Sequence, residues 1–219
     1  MEFLNECLEY LWTSCEDPAP AIAGLAGRLS AEGASFEAGQ AYLFLAEHGF
    51  RMKHYDAALE QFLRFLDQVK TDDPDDAELL ALAYRKAGEA GAHSSRAYKD
   101  PSFAERCLLR AYAICRDHLP ALAEELVLLC EILSFHYFAA AAECGSREME
   151  RAIELDLEAI ALLDEYFPND ADWKSVFFRR LGYLHEERGE YERSKACYCA
   201  ALNLEFQDHV PEYQGRFRS

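Results

Sequence analysis

Apolar residues recur at three- and four-residue spacing along nearly the whole chain, and no stretch alternates apolar and polar residues up to a hairpin turn. The pattern predicts helices and no sheet. Within those helices the sizes of the apolar residues are ordered. Phe178, Leu181, Gly182 and His185 share one helix, a three-residue turn leads through Gly189-Glu190-Tyr191, and Ser194, Tyr198 and Ala201 line a second helix. The small Gly182 lets a neighbouring helix approach closely. Tyr42, Leu45, Ala46, Gly49 and Phe50, then Lys53-His54-Tyr55, then Ala58, Phe62 and Phe65 repeat the order with the same turn length. Tyr55 and Tyr191 are therefore equivalent positions, 191 − 55 = 136 residues apart.

This order of large and small side chains resembles the tetratricopeptide repeat, a helix-turn-helix unit of about 34 residues with the pattern W-x2-L-G-x2-Y, A-x3-F, A, P. Phe178 replaces the Trp, His185 the Tyr, Ser194 the Ala and Phe206 the terminal Pro. Although 136 is four times 34, only three hairpin steps fit between the two tyrosines, an average of about 45 residues, so the inner repeats are lengthened.

The inner segments show where the extra residues lie. Ala77 to Ala90 has helical periodicity, with Leu79, Leu82 and Ala83 inward, and Gly91 to Pro101 interrupts it with small and polar residues. Ser102 to Glu105 reads as a capping box before the Ala104, Leu108, Ala111 face. The next hairpin starts with Pro120 at a first helical position and continues through Leu122, Leu126, Leu129 and Leu133. Gly145 is its predicted stop and Ser146 the next cap; Ala152, Ala159 and Ile160 line the return helix, which Pro168 ends. Before all of these, Phe3, Leu4, Cys7, Leu8, Leu11 and Trp12 form one helical face, then come Pro18 and Pro20, and Ile22, Leu25 and Leu29 form another face. The expectation is an all-α fold, a right-handed α-α superhelix of about ten helices in antiparallel pairs. One helical domain covers 1–206, divided into a leading hairpin 1–34 and repeats 35–71, 76–118, 120–167 and 171–206; 207–219 is a tail.

A net charge of −18 and a pI near 4.7 argue against a nucleic-acid partner, because phosphate contacts need a basic footprint. Asp72, Asp73, Asp75 and Asp76 read as a solvated loop with helix-capping duty, lacking the Gly and distal Glu of a calcium loop. Of the eight cysteines, Cys7, Cys107, Cys115, Cys130 and Cys197 fall on or beside apolar faces, and none has metal-knuckle or redox spacing. Reduced, buried thiols are expected. His48 and His54 have no partner at metal-ligand spacing, and His185 reads as a packing residue. No phosphate loop, nucleophile elbow or H-E-x-x-H motif is present, and adjacent acids such as Glu124-Glu125 and Glu186-Glu187 diverge by about 100° on a helix. The sequence thus points to a protein that is not an enzyme and uses no metal or cofactor. The first residues carry acid where a secretion signal carries positive charge, and the most apolar helix is short and interrupted by Glu131, so a cytoplasmic chain without membrane association is expected.

The resemblance implies a function in recognition. In this family the first helices of successive hairpins line a groove for an extended peptide or a partner helix. Matching positions place Leu43, Glu47 and Phe50 there from the first repeat, Leu80 and Tyr84 from the second, Val127 and Glu131 from the third, and Arg179, Tyr183 and Glu186 from the fourth. Leu43 and Glu47 lack the Lys and Asn with which some members clamp a terminal carboxylate. A scaffold or adaptor for a partner protein is the leading reading. A cytoplasmic chaperone similar to those of type III secretion translocators, and a small-ligand-binding helical protein, are the alternatives. Lys195 to Phe206 is apolar almost all round, so Cys199, Leu202 and Phe206 form a candidate surface for self-association or for a partner. Val210, Tyr213 and Phe217 of the tail are the alternative cover, since Pro211 and Gly215 oppose a long helix there.

Overall fold

The computed structural model describes residues 2–15, 18–69, 76–144 and 146–213, with side chains over the same residues apart from 2, 3, 5, 142–144, 146 and 205–213. Among the described residues all regular structure is helical. The chain divides into two compact units, Met1–His118 and Leu119–Ser219.

In the first unit α1 (Glu2–Ser14) and α2 (Pro18–Ala31) precede α3 (Ser35–Arg51) and α4 (Tyr55–Gln68). A second pair, α5 (Ala77–His93) and α7 (Phe103–Asp117), is joined through the single turn α6 (Arg96–Lys99). Helices α3 and α4 pack against each other, as do α5 and α7, with α2 against α3 and α4 against α5. Leu8, Ile22, Phe62 and Phe65 are fully buried where these helices meet. The second unit contains α8 (Ala123–Cys144), α9 (Ser146–Tyr166), α10 (Ala171–Glu187) and α11 (Tyr191–Tyr213). Its core holds Leu126, Leu129, Leu133, Leu163, Phe177, Leu181 and Leu184. Leu122, Ala152, Ala159 and Ile160 are buried as the sequence pattern requires.

The 136-residue equivalence survives at the level of single hydrogen bonds. In the α3–α4 turn the amides of Met52, Lys53 and His54 donate to the carbonyls of His48, Phe50 and Gly49; in the α10–α11 turn those of Arg188, Gly189 and Glu190 donate to Leu184, Glu186 and His185. Each member of the second set is the first plus 136. Lys53 and Gly189 hold the same left-handed backbone, at φ 60° and 73°. Gly182 also has the predicted role: a Cβ there would lie 2.7 Å from the Tyr198 ring.

The two hairpins differ in how well their residues suit that shared backbone. Asp170 caps α10 by accepting from the Trp173 amide at 3.0 Å. The matching Ala34, with nearly the same φ and ψ, offers α3 no such acceptor. Left-handed Lys53 carries a Cβ penalty that Gly189 avoids. Ala34→Asp and Lys53→Gly should each stabilise the first unit by about 0.5–1 kcal/mol. Urea denaturation followed by Trp12 fluorescence in a Trp173→Phe background checks this, and unchanged midpoints would refute it.

Several local expectations fail for identifiable reasons. The Ser102 hydroxyl makes no cap; it donates to Asp100 Oδ1 at 3.2 Å and accepts from Arg106, whose guanidinium also pairs with Asp100 at 2.6 Å. That arginine holds the Asp100 carboxyl below its ordinary range against the opposing effect of desolvation. Pro120 is not at a first helical position: it lies in a turn, and its carbonyl accepts from Ala123, where α8 begins. Helix α5 runs past Ala90 to His93, and Arg96 to Lys99 adds a turn inside the expected interruption. Helix α11 continues through Pro211 to Tyr213, seven residues beyond the boundary expected at Phe206. Asp76 stands at the start of α5, whereas Asp72, Asp73, Asp75, Gly145 and Phe217 lie outside the described residues.

Candidate functional site

In the second unit the neighbouring helices α8 and α10 are joined through polar groups that a wholly apolar core would lack. Asp156 on α9 is fully buried. It accepts from Arg180 Nε at 2.9 and 3.0 Å and from Nη2 at 2.5 Å. Burial pushes its carboxyl above the ordinary carboxylate range, and the Arg180 guanidinium opposes that shift. The same guanidinium approaches Glu131 on α8, Nη1 to Oε1 at 3.9 Å, so one arginine links three helices. Ser134 adds a bond from α8 to α9, its hydroxyl donating to the Ala152 carbonyl at 3.1 Å. Further along, Phe138 and Tyr183 meet edge to face with ring centroids 5.4 Å apart.

Beside these contacts lies an exposed aromatic surface. Phe135 is 64% exposed and Tyr183 45% exposed. Glu131, Phe135 and Phe138 share one face of α8 at helical spacing, and Val176, Arg179, Tyr183 and Glu186 share one face of α10. Arg179 and Glu186 are exposed, while Glu131 and Phe138 are half-buried. Glu186 also accepts from the Tyr198 hydroxyl at 3.1 Å, which ties the end of α10 to α11. Chemically the surface offers two accessible rings with charged groups of both signs beside them.

Of the expected groove residues, Arg179, Tyr183, Glu186 and Glu131 are accessible there. Leu43, Leu80 and Val127 are not: they are 8%, 3% and 0% exposed and belong to the core, where they offer a partner almost no surface. Helix α3 is buried almost continuously from Ala38 to Ala46 because α2 and α4 both cover it. Phe50 meets Tyr55 and Phe62 edge to face and carries Lys86 Nζ 4.6 Å from its ring centre, a contact that joins helices. Glu47 and Tyr84 are half-buried, Tyr84 against the core. Cys199 is exposed and Leu202 is 51% exposed, whereas the side chains of Phe206, Val210 and Tyr213 lie outside the described residues.

The first unit contains a feature that sequence reasoning missed. Trp12 from α1, Ala23 from α2, Leu45 and His48 from α3, and Ala57 and Gln61 from α4 line an open, mostly apolar cleft of about 480 Å³. Trp12 packs against His48 with centroids 4.0 Å apart and ring planes tilted by 45°, and His48 in turn lies 4.5 Å from Phe44. The Gln61 carboxamide oxygen is shut off from water and receives no hydrogen bond.

The other chemistry-bearing residues are structural. Cys107, Cys115 and Cys130 are buried and reduced, and burial raises the Cys107 thiol to about 11. His185 is buried and paired through Nδ1 with Glu190 at 2.8 Å. Among the described residues no cluster of His, Cys, Asp or Glu could hold a metal ion, and no helix is long and apolar enough to cross a membrane.

No protein-family model matches the chain, and no curated protein matches it. Among solved structures it is similar to BtubC (BKLC) from P. vanneervenii, with 17% identity and a TM-score of 0.61 over 91% of this chain and 74% of that one. At that identity the likeness shows the fold alone, an all-α arrangement of the α-α superhelical kind.

Proposed function

We propose that this chain is a tetratricopeptide-like scaffold that binds a helix or peptide of a partner protein on the α8–α10 surface. The observation that carries the reading is the exposed pair Phe135 and Tyr183, held on two helices that Arg180 and the Phe138–Tyr183 contact keep together. Large accessible rings dominate interface energies, and Tyr183, held against Phe138, would lose little freedom on binding. The negative chain favours a partner segment with basic residues flanking its apolar anchors. In this reading the surface acts by binding.

Affinity purification from the source cell tests this, comparing the native chain with Phe135→Asp and Tyr183→Ala. Each substitution should reduce recovery of one common partner by at least tenfold, the effect of losing about 1.4 kcal/mol or more of binding. Phe135 is 64% exposed, and loss of the Tyr183 ring leaves the Arg180 bonds to Asp156 in place, so the helical circular dichroism should be unchanged in both variants. Equal recovery by folded variants would overturn the assignment.

A further inference from the structure

The α1–α4 cleft has properties that the aromatic surface of the other unit lacks. Its volume of about 480 Å³ lies within the range of about 300–1,000 Å³ occupied by small-molecule sites. It is concave and lined from four helices. No Asp, Glu, Lys or Arg lines it, although 28% of the chain is charged. The only ionisable side chains in the lining are His48 and His54, so a cation would lose its hydration there without gaining a counter-ion, and an anion would find an imidazole at most. Trp12, packed at a tilt against His48, supplies an aromatic wall, and Leu45, Ala23 and Ala57 supply aliphatic ones.

One polar group in the wall points to a further requirement. Gln61 lines the cleft, and its Oε1 is shut off from solvent and receives no hydrogen bond from the protein. A buried acceptor left unpaired costs about 1–3 kcal/mol. Rotation about the terminal side-chain bond, which is soft for a carboxamide, can turn the amide toward the cleft. A ligand with an N–H or O–H group would then make a bond that the protein alone does not make.

We propose that this cleft binds a small, uncharged aromatic molecule carrying one hydrogen-bond donor, with its ring against Trp12 and its donor on Gln61. The proposal is independent of the α8–α10 reading, since every lining residue lies in the first unit.

Three probes of one size separate the requirements: 2-naphthol, 2-methylnaphthalene and 2-naphthoate. Calorimetry on the full chain at pH 7 should show 2-naphthol binding with unit stoichiometry. It should bind about fivefold more tightly than 2-methylnaphthalene, the equivalent of one net hydrogen bond of about 1 kcal/mol, and at least tenfold more tightly than 2-naphthoate. In a Trp173→Phe background, 2-naphthol should quench the remaining Trp12 fluorescence. Gln61→Leu should abolish the preference for naphthol over methylnaphthalene while leaving both bound. Ala57→Trp should fill the cleft and abolish binding; Ala57 is exposed, and Met52→Trp at the 65%-exposed rim is a second blocking variant. Absence of binding by 2-naphthol, equal affinity for all three probes, or binding unaffected by a folded blocking variant would each overturn the proposal. Retention of the naphthol preference in Gln61→Leu would overturn the role of Gln61.

Discussion

Arg180→Met should destabilise the Leu119–Ser219 unit by about 3–5 kcal/mol, because it leaves the fully buried Asp156 without its counter-charge. The loss should depend on pH. Burial already raises the Asp156 pKa above its ordinary value of 3.8, and the arginine is the main group opposing that rise. Removing it raises the folded-state pKa further. A carboxyl with a raised folded-state pKa binds its proton more tightly folded than unfolded, so its contribution favours the fold at low pH and is lost as pH rises through that pKa. The variant should therefore lie closest to the native chain near pH 4–5 and furthest from it near pH 8. Urea denaturation read through Trp173 in a Trp12→Phe background measures both effects, since the chain has two tryptophans, one in each unit. A companion Asp156→Leu in the same chain should recover most of the loss, because a charge-free core replaces an unpaired charge. A pH-independent loss below 1 kcal/mol would show that Asp156 finds solvent or another partner.

Gly91→Ala should cost the first unit about 1–3 kcal/mol, although alanine is the better helix former by about 1 kcal/mol. The added Cβ would sit 2.6 Å from Phe103 Cδ1 and 2.8 Å from Cε1. The ring cannot retreat cheaply: it is 7% exposed, and the Arg96 guanidinium lies 4.2 Å from its centre. Phe103→Leu in the Gly91→Ala chain should restore part of the stability by removing the ring edge. Trp12 fluorescence during denaturation reads the change. A Gly91→Ala chain more stable than native would mean that α5 and α7 separate at little cost.

The outer hairpins were legible because their signal is local. A large side chain faces a small one across a three-residue turn, and Gly182 meeting Tyr198 is that signal realised. The accessible surface on α8 was hidden for the opposite reason. That helix is apolar nearly all round, so periodicity could not separate buried Leu133 from exposed Phe135. Leu43, Leu80 and Val127 were misplaced because family register identifies a helix face without revealing how completely neighbouring helices cover it. Asp156 did leave a trace: it falls between Ala152, Ala159 and Leu163 on the buried stripe of α9, where an acid needs a partner. The partner proved to be Arg180, next to the Arg179 that the register favoured. The α1–α4 cleft left no comparable trace, since Trp12, His48 and Gln61 come from separate helices at no motif spacing.

The matched turns at Met52–His54 and Arg188–Glu190 make this chain divisible in one particular way. A crossover from one turn to the other keeps the three amide-to-carbonyl bonds in register while changing the length of the polypeptide by 136 residues. Duplication or excision of the gene segment between them would therefore be silent at the junction's backbone. What the recombined hairpin would have to accommodate is side-chain bulk, with Ala46 opposite Tyr198 after excision and Gly182 opposite Phe62 after duplication.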